Sequence, residues 1–369
     1  MRRFLIVVGT RPEIIKTAPI VLEARKRSAT QLNVTYCLTD QHQTMADEAL
    51  KIFGIVPDYH LKIMKPGQTL NDITEAVFRK LPPIIDRYMP DALLVQGDTT
   101  TAAASALCAF NMTVPVAHIE AGLRSFNMSS PYPEECNRRL ISVTSSYNFC
   151  PTERSKLNLL SEGVPSRNVH ITGNTVVDAL QLIKSKHGLK DFSIVSEKIR
   201  APFVLVTAHR RETFGDGFKN ICTAIRNAAL KYPYVQFVYP VHLNPNIKGP
   251  AHELLGEVRN VLLIPPVPYV ELLTLLNCCQ FVVTDSGGIQ EEAPSFGKYC
   301  IVMRDVTERT ESITAGVSEL VGTDVNKICA AVEKAMDFAL TPDAMNLYGD
   351  GRSSERILDI LLTHLQDRR

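Results

Sequence analysis

Val283-Thr284-Asp285-Ser286-Gly287-Gly288-Ile289-Gln290-Glu291-Glu292-Ala293 is the stretch that decides how this chain is read. An apolar, β-branched run ends in an acid, and a Ser-Gly-Gly turn then opens a helical pattern. Glycine lets the backbone come close to a ligand, and free N–H groups at a helix start attract anions, so the turn suits phosphate oxygens. Glu292 lies about one and a half turns down the helix, where a carboxylate accepts hydrogen bonds from ribose hydroxyls. A Gly-Gly turn alone is common. Following a strand, opening a helix and leading to an acid, this one reads as a nucleotide-diphosphate site on a strand–loop–helix unit.

The same alternation extends in both directions. Strands are expected at 203–206, 236–239, 261–264, 281–284 and 299–302, and in the first half at 4–8, 34–38, 92–95, 114–118 and 147–150. Helical stretches such as 13–27, 70–88 and 134–143 lie between the earlier ones. Short Val/Ile-rich runs alternating with amphipathic segments are the pattern of βα units in parallel sheets. The fold class is therefore α/β, with two Rossmann-like doubly wound domains facing across a cleft. The expected boundaries are 1–173, 174–350 and a final helical segment, 351–369, packing back on the first domain. Such sheets bind ligands at the carboxyl ends of their strands, so chemistry is sought in strand-end loops.

Composition narrows the partner. The 369 residues are 45% hydrophobic with a formal net charge of +1, which leaves no electrostatic footprint for nucleic acid or an anionic membrane surface. The apolar run after Met1-Arg2-Arg3 breaks at Gly9, too early for a signal peptide, and no stretch approaches a membrane span. Nine cysteines are scattered without CxxC or zinc-ligand spacing. A reduced, cytoplasmic protein with a small-molecule partner and no metal is expected.

Three strand ends in the first half carry acids. Gly9-Thr10-Arg11-Pro12-Glu13, with Lys16 about a turn later, is an anion-site candidate at a helix start. Gln96-Gly97-Asp98-Thr99-Thr100-Thr101 places Asp98 after a buried run, either as a chemical group or as the cap of the next helix. Ile119-Glu120-Ala121-Gly122 places Glu120 similarly, and Pro133-Glu134-Glu135-Cys136-Asn137-Arg138 follows, with Glu134 and Arg138 one helix face apart and able to pair. Asp98, Glu120 and Glu134 thus gather at one sheet edge, as acid/base work requires. In the second half, Ala208-His209-Arg210-Arg211 clusters basic groups at a strand end, and Pro240-Val241-His242-Leu243-Asn244 adds another polar one. Neither G-x-G-x-x-G at the first strand end nor a Walker A sequence occurs, which argues against bound NAD or an ATP phosphate loop.

These residues together resemble the non-hydrolysing UDP-N-acetylglucosamine 2-epimerases of the glycosyltransferase-B fold. The resemblance spans nearly the whole chain and includes Thr172 to Leu180, Asp285 to Pro294, Arg304-Asp305 and Thr307-Glu308-Arg309. It implies elimination of UDP to 2-acetamidoglucal and re-addition with C2 inverted, needing neither redox cofactor nor metal. By matching position, Asp98, Glu120 and Glu134 are the acid/base candidates and His209 assists near the diphosphate. Arg11, Lys16, Arg138 and Arg309 balance charge, Ser286, Gly287 and Gly288 hold phosphates, Glu292 binds ribose, and His242 joins the substrate-binding set. A UDP-sugar substrate, a homodimer and a role supplying cell-envelope polysaccharide are further expectations. The competing readings are a hydrolysing 2-epimerase releasing N-acetylmannosamine and UDP, and a retaining glycosyltransferase of the same fold.

Two departures stand out. Tyr132 occupies a position where many bacterial members have Trp. The segment that binds a second, activating substrate molecule in bacterial members reads Gln41-His42-Gln43-Thr44 here, and Gly67 replaces an Arg before Gln68-Thr69-Leu70. Activation by substrate is therefore not expected.

Overall fold

A computed structural model describes residues 1–27, 31–39, 43–338 and 345–366. The chain divides into two compact units, Met1–Leu182 together with the segment from Tyr348, and Ile183–Leu347.

In the first unit β1 (Arg2–Val8), β2 (Leu32–Leu38), β3 (Tyr59–His60), β4 (Ala92–Gln96), β5 (Val116–Ile119), β6 (Tyr147–Cys150) and β7 (Val169–Ile171) form one sheet. Their order is β3-β2-β1-β4-β5-β6-β7, with parallel pairing throughout. Helices cover both faces, so the central strands are continuously apolar: Phe4 to Val8 and Leu93 to Val95 are fully buried. Chain order reverses between β1 and β4, and the loops leaving those strands begin at Gly9 and Gly97.

The second unit repeats the design with β8 (Phe203–Thr207), β9 (Gln236–Pro240), β10 (Val261–Ile264), β11 (Val282–Thr284), β12 (Cys300–Val302) and β13 (Ser318–Leu320), in the order β10-β9-β8-β11-β12-β13. Here the reversal falls between β8 and β11, whose exits carry His209 and the Ser-Gly-Gly turn. In both units a switch point puts two polar loops side by side, the place where open α/β sheets bind ligands.

The structure departs from expectation at four points. The strands β3, β7 and β13 are sheet edges of two or three residues, too short and polar to stand out as apolar runs. The stretch 70–88 is two helices, Leu70–Lys80 and Pro82–Tyr88, because Pro82 and Pro83 lack the N–H groups needed to continue the first. Asp98 does not cap the next helix. Thr99 does, its hydroxyl accepting from the Ala102 N–H at 3.0 Å, while the Asp98 carboxylate is drawn to Arg138. The unit boundary falls at 182/183 rather than 173/174, because the start of the helix Thr175–His187 is tied to the C-terminal segment. Asn174 N–H donates to the Tyr348 carbonyl at 2.7 Å, and Asp178 accepts the Ser353 and Ser354 amides at 3.2 and 2.8 Å. The last helix, Ser353–Gln366, lies against Arg11–Lys26, with Arg27 on Asp359 at 2.7 Å.

Candidate active site

The acids of the first unit sit on the exits of neighbouring strands. Gln96 and Ile119 are paired across β4 and β5, so Asp98 and Glu120 leave the same sheet edge one strand apart. Arg138, from the helix Glu134–Thr144, reaches across to Asp98 with Nε at 3.0 Å and Nη2 at 2.9 Å, and Asn137 donates to the Asp98 carbonyl at 2.9 Å. Glu134, half-buried, opens that same helix. Arg138 is itself 2% exposed, and its other side is neutralised by Glu135 at 2.9 Å. Burial pushes the Glu135 carboxyl up, but the Ser125 amide and Arg138 outweigh this and hold it below the usual range.

Glu120 is 7% exposed and forms an ion pair with Lys16, while Gln96 Nε2 donates to the same carboxylate oxygen at 3.0 Å. Its backbone is left-handed, φ +66°, uncommon for any residue but glycine and the kind of strain that collects where a side chain must be aimed. Behind it, His118 is fully buried, and burial lowers its pKa to about 4. It is therefore neutral near pH 7, with Nε2–H donating to the Gly97 carbonyl at 2.7 Å.

In the second unit Asp285, fully buried after β11, accepts the backbone N–H groups of His209 and Arg210 at 2.7 and 2.8 Å. This one carboxylate fixes the loop leaving β8. Tyr239 supports the same loop from below, its hydroxyl donating to the Ala208 carbonyl at 2.6 Å. The His209 ring stacks on His242, centroids 5.8 Å apart and planes 19° apart, so two strand ends that the sequence left separate present adjoining imidazoles.

Ser286 is the N-cap of the helix Gly287–Ser295. A Cβ on Gly287 would meet the Arg309 guanidinium at 3.0–3.4 Å, so Arg309 lies against the turn, its charge matched by Glu291 at 2.6 Å and by Glu308. A Cβ on Gly288 would stand 4.0 Å from Glu292 Oε1, which accepts the Tyr269 hydroxyl at 2.6 Å. Glu292 thus stands beside the turn, as the spacing implied, and Tyr269 orients it.

Arg11 is the first residue of its helix and is half-buried there. Gln41 and His42 lie outside the described residues, as does the Thr44 side chain. Gly67 has φ +68° with open space around it. Sequence reasoning did not single out Glu13, His118, Asn137, Asp285 or Tyr269. For Glu13 a signal existed, since Thr10 and Glu13 have capping-box spacing. Among the described residues no group of three or more His, Cys, Asp or Glu is arranged to hold a metal ion, and no helix is long and apolar enough to cross a membrane.

Two doubly wound sheets, one with acids on the exits of neighbouring strands and the other with a Ser-Gly-Gly turn that opens a helix, define an α/β protein of the glycosyltransferase-B fold. A glycosyltransferase of kitacinnamycin shares this architecture at TM-score 0.63 and 14% identity, a likeness of fold alone. The sequence pattern of the family described as UDP-N-acetylglucosamine 2-epimerase matches residues 24–362. The chain belongs to that family. The Escherichia coli K12 UDP-N-acetylglucosamine 2-epimerase is 46% identical over 376 residues, covering 97% of this chain and 98% of that protein. A crystal structure of the Neisseria meningitidis UDP-GlcNAc 2-epimerase bound to UDP-GlcNAc superposes with TM-score 0.91 at 44% identity, covering 98% of this chain and 100% of that one. The Methanocaldococcus jannaschii enzyme in complex with UDP-GlcNAc and UDP gives TM-score 0.83 at 32% identity over 98% of this chain and 99% of that one.

Proposed function

We propose that this chain inverts C2 of UDP-N-acetylglucosamine reversibly, giving UDP-N-acetylmannosamine by elimination and re-addition of UDP. One carboxylate takes the C2 proton, the C–H electron pair becomes the C1=C2 double bond, and the C1–O bond breaks with its pair leaving on UDP. 2-Acetamidoglucal results. UDP oxygen then adds to C1 while a protonated acid delivers a proton to the opposite face of C2. The carrying observation is that Asp98 and Glu120 leave neighbouring strands at one sheet edge, with Arg138 against the first and Lys16 against the second, while Glu134 opens the helix that carries Arg138, in a chain of this family.

The Ser286-Gly287-Gly288 turn binds the diphosphate through the backbone N–H groups of its two glycines at the start of the helix, and Glu292, oriented by Tyr269, binds ribose. His209, beside His242, assists at the diphosphate, and Arg11 adds positive charge. Lys16, Arg138 and Arg309 hold their carboxylate partners in place and balance the charge that develops as UDP departs. A reducing cytoplasm suits the nine free cysteines. Homodimer formation is supported by Leu107, Phe110, Leu140 and Val143, exposed apolar residues on two helices that pack side by side in the first unit.

The test is proton NMR of UDP-N-acetylglucosamine with the pure protein in D₂O without NAD. UDP-N-acetylmannosamine carrying deuterium at C2 is expected. Epimer with protium retained at C2, activity that requires NAD, or release of free N-acetylmannosamine would overturn the proposal.

A further inference from the structure

Three consecutive residues of the loop leaving β4 are each held by a side chain from a different element. His118, on β5, donates to the Gly97 carbonyl at 2.7 Å, and Asn137, on the helix Glu134–Thr144, donates to the Asp98 carbonyl at 2.9 Å. The third tie joins the two loops of the switch point. Glu13 Oε1 accepts the Thr99 hydroxyl at 2.9 Å, while Oε2 accepts Gly9 N–H at 3.1 Å, Thr10 N–H at 2.7 Å and the Thr10 hydroxyl at 2.8 Å.

Glu13 is 1% exposed, so it is shut away from solvent behind the loops it joins. Yet both loops carry groups of the proposed site, Arg11 following Thr10 and Asp98 preceding Thr99. A capping box alone requires only the local bonds on Oε2. The bond from Oε1 to Thr99 crosses from β1 to β4 and sets the spacing of their exits.

We propose that Glu13 is a positioning residue for catalysis, a clasp between the loops leaving β1 and β4 that holds Asp98 in register with Arg11. The inference rests on the reading of Asp98 as an acid/base group. Without the clasp, the loop leaving β4 keeps its ties to His118 and Asn137 but loses its link to β1. A shift of about 1 Å at a reacting group costs roughly 100-fold in rate, whereas ground-state binding through the other unit is little changed. The loss therefore falls on kcat rather than KM.

Glutamine can replace the carboxylate without opening the clasp. Its carbonyl takes the position of Oε2 and accepts the Gly9 and Thr10 donors, and its amide donates to the Thr99 hydroxyl oxygen. Alanine removes every bond.

The experiment compares the full chain with Glu13→Ala, Glu13→Gln, Thr99→Val and Thr99→Asp, measuring kcat and KM for UDP-N-acetylglucosamine by NMR and fold by circular dichroism. Glu13→Ala is expected to lower kcat roughly 100-fold with KM changed less than about threefold, and Glu13→Gln to stay within about fivefold of the unaltered chain. A folded Glu13→Ala with kcat within about threefold overturns the clasp, as does an equal loss in the alanine and glutamine variants. If Glu13→Ala fails to fold, Thr99→Val carries the test. It removes the cross-loop bond together with the hydroxyl's cap on the Ala102 N–H, and Thr99→Asp, which can cap the helix but has no proton to give Glu13, separates the two: a kcat loss of about tenfold or more in both variants supports the clasp, and a loss under about threefold in either overturns it. Failure of the unaltered chain to epimerise would refute the proposed reaction instead, which keeps the two failures distinct.

Discussion

The same residue yields a pH dependence that can be worked through from the structure. Burial pushes the Glu13 carboxyl from its ordinary 4.5 up to about 7, outweighing the four hydrogen bonds from Thr10, Thr99 and Gly9 that favour the ion. Because the folded value exceeds the unfolded one, the native chain binds more protons than the unfolded chain between these two values, and stability falls as pH rises through that window. Below it both states are protonated and the contribution is fully present; above it both are ionised and the loss is complete. A displacement of roughly 2.5 units at 1.36 kcal/mol each gives a loss of roughly 3 kcal/mol. The neighbouring Tyr36, bonded to Thr17 at 2.7 Å, does not titrate here, since burial pushes its phenol further up still. The perturbation is Glu13→Gln, which replaces the titrating group by a neutral one of the same shape. Urea unfolding of the first unit, followed at pH steps from 4 to 8, should show the unaltered chain losing roughly 3 kcal/mol relative to the variant, all of it below about pH 8. Parallel pH curves for the two proteins would refute the reasoning, as would a directly observed Glu13 carboxyl titration near the ordinary value.

In the second unit, Gly287→Ala drives a methyl group to within 3.0 Å of the Arg309 guanidinium, which Glu291 and Glu308 prevent from moving aside. UDP affinity measured by calorimetry should fall by about 1–3 kcal/mol, and unchanged affinity would show that the turn adapts. Glu292→Ala removes a charged acceptor and leaves the Tyr269 hydroxyl facing its place, so UDP binding should weaken by roughly 1.5–3 kcal/mol. A folded variant with the original affinity would remove Glu292 from the site. Gly67 offers no side chain to a second substrate molecule, and losing a guanidinium–phosphate contact costs a large part of a coupling of about 1–3 kcal/mol. The rate should therefore depend hyperbolically on UDP-N-acetylglucosamine, and rigorously purified UDP-N-acetylmannosamine should turn over without a lag. A lag abolished by a trace of the other epimer would contradict this.

The fold was legible wherever burial on both faces forced a continuous apolar run. The strand 147–150, buried at all four residues, has the expected bounds. Edge strands such as β3 carry no such run, and they exist because β2 offers a free ladder beside them. The site was legible to the same depth. A residue that follows a strand could be named from sequence, but its partner depends on which strand lies next to it. Strand order is set by long-range packing, so the bonds from Arg138 to Asp98 and from Asp285 to the amides of His209 and Arg210 left no local trace. The helix-face rule offered Glu134 as a possible partner of Arg138 and gave no sign of Asp98, since sequence cannot weigh a carboxylate on the same helix against one arriving from another strand.

Glu120 shows where local reasoning stops. A left-handed glutamate is disfavoured by roughly 1–2 kcal/mol, so propensity points away from the conformation it adopts. The conformation is held from outside the residue. The next turn is closed by Gly122 at φ +87°, where a Cβ would stand 2.1 Å from the Ser155 carbonyl oxygen, so the backbone there can be nothing but glycine pressed against the helix Glu153–Ser161. Asn158 locks the same point by donating to the Gly122 carbonyl at 3.0 Å. With that anchor below and Lys16 and Gln96 on its carboxylate above, Glu120 has only the strained backbone open to it. The glycine was visible in the sequence, but its reason lies in residues more than thirty positions away, as the Asn158 bond shows.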